Sequence, residues 1–155
     1  MLSASSREHD SPARMKKTAM SKKILLCDDD LPILRAAEFK IKKAGHDVRI
    51  ATDGEEAWER IEESIPDILV TDCQMPRLGG LGLVERVRSH EATRHIPVLM
   101  LTAKGFELDE EDLAGRLEIR ELIAKPFSPR KLLETIERIL GEESGERSRL
   151  VESSV

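Results

Sequence analysis

The chain has no tyrosine, one tryptophan and three phenylalanines, so it offers no aromatic platform on which nucleic-acid bases could stack. It has no basic excess either. The net charge is −5 and no basic stripe forms, which removes the electrostatic footprint of a nucleic-acid binder. The small cluster Lys16, Lys17, Lys22 and Lys23 reads as a solvated lead-in. Only two cysteines occur, Cys27 and Cys73. They flank apolar strands rather than marking out a spaced framework, which excludes a disulfide scaffold and makes them core-filling thiols of a reducing compartment. No cluster of Cys and His supports a zinc site. The longest apolar run, Ile96 to Leu101 with Pro97 inside it, is far too short to cross a bilayer. Residues 1–22 carry Arg7, Arg14, Lys16, Lys17 and Lys22 without an apolar stretch, so they are not a secretory signal. A cytoplasmic location is expected.

What is present is one domain's worth of patterned chain. The 155 residues are 39% hydrophobic and 35% charged, enough for a single core under a soluble surface. Residues 1–21 lack periodicity and are expected to be disordered, with Met1, Met15 or Met20 as the start. The folded domain is expected over 22–141, followed by a flexible tail over 142–155. Lys23 to Cys27 reads as a first strand, and Pro32 suits the first turn of a helix bearing Leu34, Ala37, Ile41 and Ala44, stopped at Gly45. Val48 to Ala51 is a second strand. Asp53 and Glu56 form a capping box for a helix with Ala57, Trp58, Ile61 and Ile65.

Pro66 ends that helix, and Asp67 to Thr71 reads as a buried strand that delivers Asp72 into a turn closed by Met75-Pro76. After Gly79-Gly80 a helix carries Leu83, Val84 and Val87, and Pro97 to Leu101 is the fourth strand. A weaker helix is expected over 108–117, with acidic residues at its positive end. Leu122 to Ala124 is the core of a fifth strand. Ser128 and Pro129 open the last helix, lined by Leu132, Leu133, Ile136, Ile139 and Leu140 and closed at Gly141. Five strands alternating with five helices demand a parallel sheet covered on both faces.

The polar residues that carry chemistry follow strand after strand. Asp28 and Asp29 come after the first, Asp72 after the third, Thr102 after the fourth and Lys125 after the fifth. The carboxyl ends of parallel strands share one edge, where open α/β sheets bind ligands. Three carboxylates within ~5 Å repel by a few kcal/mol per pair at an effective dielectric near 20, so the group must bind a cation or take up a proton. All-oxygen ligation without His or Cys suits Mg²⁺, which accepts one or two carboxylates plus a phosphate oxygen. With the cation and the Lys125 ammonium neutralising charge and Thr102 donating a hydrogen bond, a carboxylate oxygen can attack phosphorus in line.

Leu25-Leu26-Cys27-Asp28-Asp29-Asp30, Val70-Thr71-Asp72-Cys73-Gln74-Met75-Pro76, Leu101-Thr102-Ala103 and Ala124-Lys125-Pro126-Phe127 together resemble the receiver domain of bacterial two-component response regulators, over about residues 22–140. The resemblance implies a (βα)5 doubly wound, flavodoxin-like fold with strand order 2-1-3-4-5. It implies that Asp72 accepts a phosphoryl group from the phosphohistidine of a sensor histidine kinase or a histidine phosphotransfer protein. It further implies Asp29 and Asp72 as direct Mg²⁺ ligands, the Gln74 backbone carbonyl as a third, and Asp28 acting through water. Thr102 and Lys125 would contact the phosphoryl oxygens. A stand-alone receiver of this kind is a signalling phosphoacceptor rather than an enzyme. It would act on a downstream protein, as a monomer or a phosphorylation-dependent dimer.

Two departures from the family pattern stand out. Leu122 occupies the place three residues before the lysine where receivers usually carry Tyr, Phe or His. The stretch Leu117 to Glu121 replaces the usual Gly-Ala turn with about one extra residue. The alternatives are a docking domain that keeps the fold without phosphorylation, and a haloacid-dehalogenase-like phosphatase with Asp28 as nucleophile and Asp30 as acid. The latter needs an acidic pair after the fourth strand, where this chain has Thr102-Ala103-Lys104. His90 and His95 are five apart, about 140° around a helix, and cannot share a metal.

Overall fold

The computed structural model describes residues 21–103 and 115–153, with side chains described as far as Ser144. Five short apolar runs become β1 (Lys23–Cys27), β2 (Asp47–Ala51), β3 (Ile68–Asp72), β4 (Val98–Thr102) and β5 (Ile119–Ala124). They pair in parallel in the order β2-β1-β3-β4-β5, the order that the resemblance implied. The described residues contain four helices, α1 (Leu31–Lys43), α2 (Gly54–Glu63), α3 (Gly80–Ser89) and α4 (Pro129–Ser153). The helix expected over 108–117 falls almost wholly outside them; of it only 115–117 are described, and Leu117 is buried. The expected tail over 1–21 likewise lies outside, apart from Ser21.

Alternation along each strand splits the core in two. Ile24 and Leu26 of β1, Ile68 and Val70 of β3, and Leu99 and Leu101 of β4 join Leu34 and Ile41 of α1 and Leu132 and Ile136 of α4. Leu25 and Cys27, Leu69, and Val98 and Met100 join Ala57 and Ile61 of α2 and Leu83 and Val87 of α3. Neither face of the sheet is left to water, so the inner strands β1, β3 and β4 read as near-continuous apolar runs, while the edge strands β2 and β5 keep exposed polar positions. Burying each such Leu or Ile is worth roughly 1.5–3 kcal/mol. Both cysteines fill the core, as expected from their flanks. Burial pushes the Cys27 thiol far above its ordinary pKa, and burial with the Asp72 charge raises Cys73.

The local signals operate as they read, with small shifts. Asp30 caps α1 by accepting Ile33 N–H at 3.3 Å, and Gly45 takes up φ 101 just past the helix. Asp53 Oδ1 accepts Glu56 N–H at 2.8 Å, but Glu56 returns the bond to Thr52 N–H at 2.7 Å, one residue before the cap. Ser128 Oγ accepts Lys131 N–H at 3.0 Å.

Three expected boundaries need correction, the first being that α2 ends at Glu63, so Ile65, expected on its face, lies beyond it and is exposed. Asp72 is the last residue of β3 rather than the first of the turn, because it still pairs with Leu101 of β4. Gly141 does not close the last helix, which runs on to Ser153 and turns much of the expected tail 142–155 into helix. Gly141 is not among the glycines at positive φ. The ion pairs of Arg120 with Glu142 and Glu143, and of Arg138 with Glu142, reward helix beyond it. Each of these partly exposed pairs is worth at most about 1 kcal/mol, similar to the cost of about 1 kcal/mol for an interior glycine.

Arg120 is free to reach that helix because the ladder skips it. Val98 pairs with Ile119 and Leu99 with Glu121, so the extra residue noted in this stretch is taken up as a bulge. Beneath it, Arg88 of α3 donates to the carbonyls of Leu117 at 2.8 Å, Arg94 and Ile96 at 2.7 Å, and Glu118 at 3.2 Å.

Candidate functional site

Two strands end in an acid or a hydroxyl, β3 at Asp72 and β4 at Thr102, while β1 ends just before Asp28 and Asp29 and β5 just before Lys125. The sheet gathers all of these ends on one edge. The Asp28 N–H continues the β1 ladder by donating to the Ala51 carbonyl at 3.1 Å, which fixes the residue after β1. Its side chain is only 1% exposed. Asp28 Oδ1 accepts Asp30 N–H at 2.9 Å, while Oδ2 pairs with Lys125 Nζ at 2.7 Å. Asp72 is 7% exposed; its Oδ2 accepts from Lys125 Nζ at 3.0 Å and its Oδ1 from Gln74 N–H at 3.4 Å. Asp29 is exposed, and one carboxylate oxygen from each of Asp28, Asp29 and Asp72 lies within 4.8 Å of the others.

Lys125 is tied in by its own backbone, whose N–H donates to the Thr102 carbonyl at 2.7 Å. Thr102 is buried at the end of β4, opposite Ala124. Every residue singled out in the sequence therefore belongs to one group. Asp28, Asp29, Asp72 and Lys125 meet through side chains, whereas Thr102 and Gln74 join through main-chain groups.

The electrostatics follow from burial and pairing. Burial pushes the Asp28 carboxyl above the usual carboxylate range. Lys125 and the Asp30 N–H pull against that, and the neighbouring Asp72 charge adds to it. For Lys125, burial works against the ammonium, but Asp28 and Asp72 outweigh it and hold its pKa above the ordinary lysine value. Three carboxylates face one ammonium, so the group is short of positive charge. An oxygen-only donor set of three carboxylates, with one ammonium between them, fits a small hard cation such as Mg²⁺.

Some contributors carried no readable signal. A Cβ on Gly80 would lie 2.0 Å from the Asp72 carbonyl oxygen, so Gly80 sets how closely α3 approaches the end of β3. In the sequence it reads only as a helix start. Asp30, the acid of the phosphatase alternative, is committed as the cap of α1. Asp28, that alternative's nucleophile, is almost closed to solvent.

This chain belongs to the response regulator receiver domain family, whose sequence model matches residues 24–137. Receiver domains serve two-component signalling, in which phosphorylation and Mg²⁺ binding at an acidic Asp cluster are typical. Among individual proteins, the chain is similar to the alkaline phosphatase synthesis transcriptional regulatory protein PhoP of Bacillus subtilis (strain 168), at 37% identity over 121 residues. That match covers 78% of this chain and 49% of PhoP, so the chain spans about half the length of that relative. In structure it is similar to a CheY-like receiver domain protein from Methanospirillum hungatei, with a TM-score of 0.71, 29% identity, and coverage of 81% of this chain and 98% of that one. It is likewise similar to the chemotaxis response regulator CheY4 of Vibrio cholerae, with a TM-score of 0.69, 28% identity, and coverage of 77% and 98%. Among the described residues no helix is long and apolar enough to cross a membrane.

Proposed function

We propose that this chain is a phosphoacceptor that takes a phosphoryl group from a phosphohistidine onto Asp72 and passes the signal on by protein contact. The observation that carries the reading is the shared Lys125 ammonium, 2.7 Å from Asp28 and 3.0 Å from Asp72, beside three carboxylates at the carboxyl edge of the sheet. Asp28, Asp29, Asp72 and the Gln74 carbonyl are the residues that would hold Mg²⁺, which supplies positive charge to the phosphoryl oxygens when bound. In the transfer, an Asp72 carboxylate oxygen forms the new O–P bond. The P–N bond to the donor imidazole breaks, and its electron pair stays on nitrogen. Lys125 is already beside the attacking carboxylate and can pair with the phosphoryl oxygens as negative charge shifts onto them. The Thr102 hydroxyl is the donor for another of those oxygens. Asp28 also pairs with Lys125, at 2.7 Å, and holds it in place.

The same proposal includes a sensor histidine kinase or histidine phosphotransfer protein as donor, a downstream protein as target, a cytoplasmic setting and a signalling rather than enzymatic role. Incubation with acetyl phosphate and Mg²⁺ should place one base-labile phosphoryl group on the chain, mapped to Asp72 by peptide mass spectrometry. Asp72→Asn should lower the rate by at least about 100-fold, the scale expected when a nucleophile is lost. Labelling of Asp72→Asn at the wild-type rate would remove Asp72 as acceptor.

A further inference from the structure

The loop that leads from Asp72 to α3 is fixed at both ends, and its far anchor sits on a different helix. Next to Asp72, the Cys73 N–H donates to the Leu101 carbonyl at 2.9 Å and the Cys73 carbonyl accepts Gly80 N–H at 2.9 Å. At the other end the Leu78 carbonyl accepts Gly54 N–H, from the start of α2, at 3.0 Å. A Cβ on Gly54 would come within 2.1 Å of that carbonyl oxygen, so only glycine allows the approach. Between the anchors, Arg77 holds φ 65, a region that costs energy for a residue with a side chain. Its guanidinium lies 2.9 Å from Asp53 Oδ1, the same oxygen that caps α2.

Capping needs only the bond from Asp53 to Glu56. An exposed ion pair contributes little to folding, so stability alone gives no reason to hold Arg77 in a strained backbone. What the clamp does fix is the path of residues 74–77. We propose that Asp53, Gly54 and Arg77 are positioning residues for the cation site: by fastening the loop to the first turn of α2 they hold Gln74, whose N–H donates to Asp72 Oδ1 at 3.4 Å, against the Asp28, Asp29 and Asp72 carboxylates. The inference rests on the cation site proposed above and adds to it a support from a helix that contributes no ligand.

Charge alone makes the opposite demand on one member of the clamp, which makes the idea decidable. Removing the positive Arg77 side chain should tighten the binding of a divalent cation by Coulomb's law, whereas removing the negative charge of Asp53 should loosen it. Positioning requires both changes to loosen it. Mn²⁺ binding to the full chain, measured by loss of the free-ion electron paramagnetic resonance signal, should weaken about three- to tenfold in Arg77→Ala and in Asp53→Asn. That is at or below the low end for groups that orient a metal ligand. Asp53→Asn keeps the helix cap, and the Arg77 side chain is exposed, so both variants should fold, as circular dichroism melts in EDTA will register. Asp29→Asn is the control for the site itself. If it loses Mn²⁺ while Arg77→Ala binds as tightly as wild type or tighter, the positioning role is overturned and the cation site stands. If Asp29→Asn binds Mn²⁺ like wild type, the cation site is misassigned and the clamp has nothing to position.

Discussion

At the amino edge of the sheet, polar groups are paired off. Lys23 N–H donates to Asp67 Oδ2 at 2.7 Å, Asp67 N–H returns to the Lys23 carbonyl at 2.8 Å, and the Arg88 guanidinium serves four carbonyls. At the carboxyl edge the opposite holds: three carboxylates crowd one ammonium. The same β-strands run between the two edges, so the difference lies in the loops attached at either end. One edge uses its polar groups to close loops, and the other keeps them available for a cation and a phosphoryl group. Local stability is given up where chemistry is to occur.

The comparison breaks most visibly at Arg88. Arg88→Ala would strand carbonyls of Leu117, Arg94, Ile96 and Glu118 that it now satisfies, and should lower the unfolding free energy by about 2–3 kcal/mol. Urea melts with an unchanged slope would measure it. Arg88→Lys should recover little, since an ammonium lacks the planar fork that reaches several carbonyls at once. A loss no larger than that of an ordinary surface substitution would mean that the amino edge is not held this way.

A smaller effect sharpens the other side. Burial raises the folded-state pKa of Asp28 above its unfolded value, so the folded protein keeps that proton where the unfolded chain has released it. The stability this group contributes is present below the unfolded pKa and lost as pH rises from the unfolded value through the folded one. Two other acids run the opposite way. Burial opposes the Glu38 charge, but Arg35 and Lys42 outweigh it; at Asp53, Arg77 is the main cause of a lowered pKa. Both add stability as pH rises over the ordinary carboxylate range. Comparing wild type with Asp28→Asn in EDTA isolates the Asp28 part. The variant should gain on wild type as pH is raised from about 4 towards neutrality, starting from the ordinary carboxylate pKa. A constant difference across that range would show that Asp28 carries no such strain.

Much of this architecture is legible in the chain alone. The strands announce themselves as short apolar runs, and Asp28, Asp29, Asp72, Thr102 and Lys125 are visible because each stands at a strand end, where a parallel sheet must collect them. The hidden features depend on partners distant in the chain. Arg88 looks like any exposed helix arginine until four carbonyls close around it. Gly141 carries a stop signal that the helix runs through, and the pairing of Glu142 and Glu143 with Arg120 beyond it involves a residue more than twenty positions earlier. The extra residue before β5 was countable, but its conversion into a bulge at Arg120 required the register with β4. Asp53 was legible as a cap and illegible as the partner of Arg77, because nothing in either stretch points to the other.

The central claim is that the carboxyl edge holds gathered negative charge that a bound cation relieves. Its most direct test is the thermal melt of wild type and Asp29→Asn in EDTA and in Mg²⁺ near neutral pH. A ligand bound only by the folded state at tenfold above its Kd stabilises it by about 1.4 kcal/mol. The account predicts that wild type melts higher in Mg²⁺ by a shift of that order, while Asp29→Asn responds little and melts at or above wild type in EDTA. An equal Mg²⁺ response in the two proteins, or a lower melt of Asp29→Asn in EDTA, would contradict it.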